Sequence, residues 1–276
     1  MTDNRPTLIV GGGGKTGARV NTLLKERGLA TRPVSRSGAI PFDWTRRETW
    51  APALKGVSKA YVTYQPDLAV DGADDDIAEF SRLAREEGLA HVVLLSGRGE
   101  PGAQRAEAAL QDSGVAWTNV RASWFNQNFS EGAFRDSILA GELALPAEPI
   151  PEPFVDADDI ADVVIAALTE DGHRNRLYEV TGPRALTFAE AVDEIARAAG
   201  RPIRYRQIPV DEFIAQMRPY APEDILNLLV ELFTVVLDGR NVEVMQGVQE
   251  ALGRKPIDFS DYARRAAAAG AWEVRQ

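Results

Sequence analysis

The sequence predicts an α/β fold, a doubly wound parallel sheet with a smaller, mostly helical C-terminal region, on three observations. Short apolar runs alternate with amphipathic helices over the first 120 residues. A glycine-rich turn, LIVGGGGKTGARV (8–20), joins the first run to the first helix. Past residue 122 the alternation gives way to mostly helical periodicity. Strands that alternate with helices of this length need right-handed crossovers, and so a parallel sheet covered on both faces.

TLIV (7–10) is short and fully apolar, as buried parallel strands are. Thr16, Val20, Leu23 and Leu24 then share one helical face, and the pattern stops at Gly28, a C-terminal cap. ATRPVSR (30–36) reads as the second strand. Pro33 lacks the N–H of a central strand and is placed at its frayed end. AIPFDW leads into a helix at 46–55, KAYVTY (59–64) is a strand, and DDIAEFSRLAREEG (75–88) is an amphipathic helix ending at glycine. HVVLLS (91–96), AQRAEAALQDSG (103–114) and AWTNVRA (116–122) follow as strand, helix and strand. Next come a helix at DADDIADVVIAALTED (156–171) and a strand at RLYEVTG (176–182). TFAEAVDEIARAAG (187–200) is a helix that opens with Thr187 and Glu190 in capping-box spacing. PIRYRQIP (202–209) is strand-like, and mostly helix follows. The apolar helix at 222–238 suits a cover over a site and a subunit contact equally.

Composition narrows the function classes. Apolar residues make up 45% and charged ones 26% of 276 residues, ordinary for a globular protein. The net charge of −10 argues against a nucleic-acid partner. Without cysteine there is no disulfide, thiolate nucleophile or thiolate metal site, and two histidines make a transition-metal site improbable. MTDNRPTLIV enters a core-like strand at once, and ILNLLVELFTVVL (225–237) is too short and too polar to span a bilayer. A cytoplasmic protein acting on a small molecule, with no membrane or metal partner, is expected.

The glycines pose a choice between two phosphates. A triphosphate loop carries a glycine five positions before its Gly–Lys pair. Here that position is Ile9, inside the strand, so the pattern fails. Gly11, Gly14 and Gly17 form G-x-x-G-x-x-G between a strand and a helix, the dinucleotide arrangement. The first permits the tight turn, the second lets the pyrophosphate approach the backbone, and the third packs helix on strand. Gly13, Lys15 and Thr16 complete the stretch at the helix start, where free N–H groups and the dipole favour an anion. An NAD site carries an acid roughly 20 residues further on. TRPVSRSG supplies none; Arg32, Ser35, Arg36 and Ser37 suit a 2′-phosphate instead, so NADP(H) is the expected cofactor.

LIVGGGGKTGARV, VSRSG, FVDADDIADVVIAAL and YEVTGPRALTFAEAVDEIARAAGRPI together resemble the NmrA-like branch of the atypical short-chain dehydrogenases/reductases, over roughly residues 7–215. The resemblance implies an NADP-binding Rossmann domain, drawn here at 1–150. It also implies a substrate-binding region at 151–276, interleaved with the sheet. It places the ribose and nicotinamide near Thr63, Tyr64, Gln65 and Ser96, and matches SWFNQNFSEG (123–132) to the segment that lines the substrate cavity. There Trp124, Phe125 and Phe129 offer flat apolar walls and Asn126 and Asn128 polar anchors. Trp124 and Phe129 serve equally well as plain core.

The larger superfamily moves protons with a Tyr-x-x-x-Lys pair, and no tyrosine of this chain has a lysine four positions on. In GEPGAQRAEAAL the lysine's place falls on Arg105 and the tyrosine's on Pro101 or Gly102. His91 and His173 are expected to be structural or exposed. The catalytic residues are therefore unassigned. The family includes NADPH-dependent quinone and isoflavone-type reductases, festuclavine-dehydrogenase-like enzymes and non-catalytic nucleotide sensors. The expected function is hydride transfer from NADPH to a small unsaturated or cyclic substrate of quinone, enone or imine type. A non-catalytic NADP(H) sensor and a non-redox enzyme on the same fold stand as alternatives.

Overall fold

The computed structural model describes residues 4–274. β1 (Thr7–Val10), α1 (Lys15–Glu26) and β2 (Thr31–Val34) come first, then a 3₁₀ turn at Arg47–Thr49 that runs into α2 (Trp50–Leu54). β3 (Lys59–Val62), α3 (Ala73–Glu86), β4 (His91–Gly97), α4 (Pro101–Gln111) and β5 (Trp117–Ala122) continue the alternation. A 3₁₀ turn at Asn126–Asn128 precedes α5 (Arg135–Ala140), β6 (Glu142–Leu145), α6 (Ala157–Thr169) and β7 (Arg176–Val180). α7 (Phe188–Ala199), β8 (Arg204–Gln207), α8 (Val210–Met217) and α9 (Glu223–Glu231) follow. A π-helical turn at Leu232–Val236, then α10 (Gly247–Leu252) and α11 (Phe259–Ala268), end the run.

These elements gather into two compact units. One holds the chain up to Ala122 with Asp158–Glu179 and Gly247–Arg254; the other holds Ser123–Ala157, Val180–Gln246 and the chain from Lys255. The boundaries of these units differ from a single division at residue 150 and interleave along the chain. β7 lies beside β5 in the sheet, so the chain must return to the first unit after leaving it at Ala122.

In the first unit the sheet order is β2-β1-β3-β4-β5-β7. β1 is parallel to β2 and β3, β3 to β4, and β4 to β5. The order reverses between β1 and β3, and open α/β sheets bind ligands beyond the strand ends at such a reversal. Leu8, Ile9 and Val10 are buried, as a strand covered on both faces demands. Pro33 sits mid-strand, opposite Ile9, and not at a frayed end. β2 is the edge strand of the sheet, where a missing N–H can face solvent without breaking a ladder bond.

Both histidines lie inside this unit. His91 Nε2 is 2.9 Å from Thr118 Oγ1, and His173 Nδ1 is 2.8 Å from the Tyr178 hydroxyl. Burial lowers the His91 imidazole from its ordinary 6.5 to about 4. Its contribution to stability is therefore complete above pH 6.5, where folded and unfolded chains are both neutral, and is lost as the pH falls towards 4. At about 1.4 kcal/mol per pH unit, that interval corresponds to roughly 3 kcal/mol. Replacing His91 with Gln, which takes up no proton, should flatten the decline of melting temperature between those two pH values. Parallel declines for the two proteins would assign the acid sensitivity elsewhere.

The second unit carries a two-stranded parallel sheet, β6 with β8. Sequence periodicity predicts β8 but neither β6 nor α5. Its core is a ring cluster in which Phe129 meets Phe154, Phe188 and Phe259 at centroid distances of 5.5, 6.0 and 5.6 Å. α7 opens with the expected capping box. Thr187 Oγ1 accepts from the Glu190 N–H at 3.1 Å, and Glu190 Oε2 accepts from the Thr187 N–H at 2.8 Å. Phe233, in the π-helical turn, packs on Trp124 and Phe213 at 5.5 and 5.2 Å. Among the described residues no helix is long and apolar enough to cross a membrane.

Candidate functional site

The turn after β1 is built by glycines with separate duties. Gly11 has φ +75°, a left-handed backbone that a side chain strains, and a Cβ there would also overlap Thr63 Oγ1. The turn closes as the Gly14 N–H donates to Gly11 O at 2.9 Å, and Gly12 N–H donates to Val34 O at 3.2 Å. A Cβ on Gly17 would overlap Gly11 O, so the first turn of α1 rests directly on the loop. Gly13 differs: a Cβ there meets no heavy atom within 4 Å. Gly14 caps α1 without any side-chain hydrogen bond, and no acid stands in the first turn. The positive end of the helix thus faces exposed, bare backbone at Gly13 and Gly14.

This backbone borders a cavity of about 530 Å³. Of the residues expected to hold the cofactor, Gly11, Gly13, Gly14, Ser35, Arg36, Thr63 and Gln65 line it, and Ser37 joins them. Gly17, Lys15, Thr16, Tyr64 and Ser96 do not line it. Gly17 shapes the loop from behind, and Lys15 opens α1, its carbonyl accepting from Arg19 Nη1 at 2.8 Å. Thr16 is turned inward, where its hydroxyl accepts from the Tyr61 hydroxyl at 2.9 Å. The Tyr64 ring lies 4.6 Å from that of Trp44, and its hydroxyl donates to Asp76 Oδ2 at 2.7 Å. Burial and the Asp76 carboxylate raise the Tyr64 phenol, so it stays protonated. Ser96 is buried in β4, and its hydroxyl has no partner.

The two arginines of TRPVSRSG part company. Arg32 Nη1 donates to Ala53 O and Lys55 O, at 2.9 and 2.6 Å, and so ties down the end of α2. Arg36 is exposed and lines the cavity between Ser35 and Ser37. The lining also includes a group that the sequence pattern does not predict: Asp43, Trp44 and Thr45. A parallel bridge between Ser35 and Pro41 brings that segment alongside, a pairing too short to leave a strand pattern. The Thr45 N–H and hydroxyl, bonded to Asp43 Oδ1 at 3.0 and 2.9 Å, hold its carboxyl below the usual range. The cavity therefore offers a cation for a phosphate, an anion for a donor such as an amine or a hydroxyl, and the Trp44 ring for a planar group.

In the second unit Trp124, Phe125 and Asn128 are half-buried, whereas Asn126 and Phe129 are fully buried. Trp124 stacks on Phe134 at 6.3 Å and meets Phe188 edge-on at 5.5 Å. Phe129 is a core ring, and its carbonyl accepts from Trp272 Nε1 at 2.9 Å; full enclosure by other rings leaves it no wall to present. Both amide atoms of Asn126 are buried without a hydrogen-bond partner.

The model of the NmrA-like family matches residues 104–263. The chain belongs to the NmrA-like family. An NAD(P)H azoreductase of Xenophilus azovorans is 31% identical over 95% of this NmrA-like chain and 98% of its own length. Among solved structures, an Escherichia coli NADPH-dependent quinone oxidoreductase complexed with NADPH superposes with TM-score 0.78 at 18% identity, covering 94% of this chain and 99% of the other. NmrA itself, a negative transcriptional regulator in complex with NADP, gives 0.70 at 17% identity, covering 97% of both chains. At such identities the two structures speak to the fold alone, an α/β fold of Rossmann type.

This NmrA-like chain also shows what stands at the positions of the missing Tyr–Lys pair. Arg105 is half-exposed on α4, 3.6 Å from Asp74 Oδ2. Gly102 lies so close to the Ala69 backbone that no side chain fits. The three tyrosines of the first unit have their hydroxyls engaged, Tyr61 by Thr16, Tyr64 by Asp76 and Tyr178 by His173. Among the described residues no group of three or more His, Asp or Glu side chains is arranged to hold a metal ion.

Proposed function

We propose that this NmrA-like chain is an NADPH-dependent oxidoreductase that reduces a small unsaturated or cyclic acceptor of quinone, enone or imine type, without a Tyr–Lys pair. The observation that carries the reading is the cavity at α1, where bare backbone at Gly13 and Gly14 meets the positive helix end and Arg36 stands between two serines. A methyl group at Gly13 would occupy space that no protein atom claims, which fits a pyrophosphate lying against the backbone. Arg36, Ser35 and Ser37 hold the 2′-phosphate by charge-assisted hydrogen bonds, and Thr63 and Gln65 border the rest of the nucleotide. When bound, NADPH supplies a hydride, and a solvent proton completes the two-electron reduction. The chain's own part is to bind, orient and exclude water, since it places no tyrosine–lysine acid at the expected positions. In the second unit the half-buried Trp124, Phe125 and Asn128 stand as candidate acceptor contacts, whereas Asn126 is fully buried and presents no surface to a ligand.

The engaged tyrosines also support a second reading, an NADP(H)-binding sensor without chemistry. The two are separated by loading the protein with NADPH and following the nicotinamide absorbance against a panel of quinones, enones, imines and azo compounds. Oxidation of bound NADPH by at least one class is the expected result. Tight NADPH binding with no oxidation by any acceptor would leave the sensor.

A further inference from the structure

β3 lies across the sheet reversal from the phosphate loop, and two side chains, Tyr61 within the strand and Thr63 just past its end, act on that loop. Tyr61 and Thr63, two residues apart, project to the same face of the sheet. Thr63 Oγ1 donates to Val10 O at 3.0 Å and stands against Gly11, beneath the turn. Tyr61, completely enclosed, donates its hydroxyl to Thr16 Oγ1 at 2.9 Å, beneath the first turn of α1. Thr16 is itself only 4% exposed, so neither hydroxyl has water as a ready alternative. Gly17, the next residue, lets that same turn descend until it touches Gly11 O. One contact permits the approach of the helix and the other pins it.

Resting on the nucleotide reading above, we propose that Tyr61 is a positioning residue for the cofactor. Its hydrogen bond to Thr16 sets the height of the α1 N-terminus over the sheet, and with it the distance from the helix amides to the pyrophosphate. Charge-assisted hydrogen bonds from backbone N–H groups weaken steeply with length. A helix start released by a few tenths of an ångström would then bind phosphate less well while the core around it stays closed. The Tyr61 ring fills its site with or without the hydroxyl, so the bond can be removed without opening a cavity.

The test compares wild type with Tyr61→Phe, Thr16→Val, Thr16→Ser and the Tyr61→Phe/Thr16→Val double variant. NADPH affinity is read by energy transfer from tryptophan to nicotinamide, and stability by thermal melting of the nucleotide-free protein. 2′-AMP serves as a second ligand, because it carries the 2′-phosphate and lacks the pyrophosphate. Tyr61→Phe and Thr16→Val should each weaken NADPH roughly three- to tenfold, the size of one net hydrogen bond. The double variant should be no worse than the single ones, Thr16→Ser should bind as wild type does, and 2′-AMP affinity should not change. NADPH affinity unchanged in Tyr61→Phe, whatever its melting temperature, would reduce the bond to a core contact and overturn the proposal. Equal weakening of NADPH and 2′-AMP would overturn it too, as general loosening. Wild type that fails to bind NADPH would refute the nucleotide reading itself, and is seen before any variant is made.

Discussion

Arg36→Ala is expected to lower the ratio of NADPH to NADH affinity by about 10- to 100-fold, almost wholly by weakening NADPH. A hydrogen bond to a charged group contributes about 1.5–3 kcal/mol, and each 1.4 kcal/mol is about tenfold. Arg36 is exposed, so solvent screening places the effect towards the lower end and makes it depend on salt. The Asp43 carboxylate adds to the loss: it lies in the same cavity, stays ionised, and would face the 2′-phosphate with less opposing charge. Arg32→Ala is the control. Its guanidinium is spent on Ala53 O and Lys55 O, so the ratio should hold while α2 loosens. Isothermal titration of both nucleotides at two salt concentrations measures all of this. A ratio indifferent to Arg36→Ala would remove the 2′-phosphate from this corner of the cavity.

Gly17→Ala and Gly13→Ala should fail in opposite ways. At Gly17 the new methyl collides with the Gly11 carbonyl, a backbone atom that cannot swing aside. Overpacking of this kind costs about 1–3 kcal/mol or more, several degrees of melting temperature in a protein of this size. Nucleotide binding should go with it, because the helix start and the turn are forced apart. At Gly13 the methyl meets no protein atom, and the backbone is not left-handed, so the fold should be as stable as wild type. On the nucleotide reading proposed above, NADPH affinity should nevertheless drop about tenfold or more, since the methyl would occupy the space assigned to the pyrophosphate. Melting curves and NADPH titrations on the two variants suffice. A Gly13→Ala protein that binds NADPH as wild type does would show that the bare backbone is not the phosphate cradle.

Legibility in the sequence followed the range of the interaction involved. Strands such as TLIV and helices such as the one capped by Thr187 and Glu190 are encoded in neighbouring residues, and the structure has them where periodicity put them. β6 escaped because its partner β8 lies some sixty residues away, and four residues of ELAL carry no alternation strong enough to stand alone. Pro33 resists a local reading for a similar reason. A proline is tolerated on an edge strand, and only the sheet order reveals which strand is the edge.

Within the site the same contrast holds. The spacing of Gly11, Gly14 and Gly17 after a strand was enough to predict a dinucleotide loop, because a tight turn and a close helix approach are local demands on backbone. Nothing local says which glycine the fold leaves open. That Gly11 and Gly17 answer to Thr63 Oγ1 and to the loop's own carbonyl, leaving Gly13 open, appears only when β3 and α1 are in place. Arg32 and Arg36 are alike in sequence, four positions apart in one segment, and folding sends one to α2 and the other to the cavity. Asp43 arrives there through a single bridge, and Thr16 turns to Tyr61 across forty-five positions of chain. The chain's backbone chemistry was written in short-range pattern; the destinations of its side chains are set by packing between segments distant in sequence, and those only the folded molecule brings together.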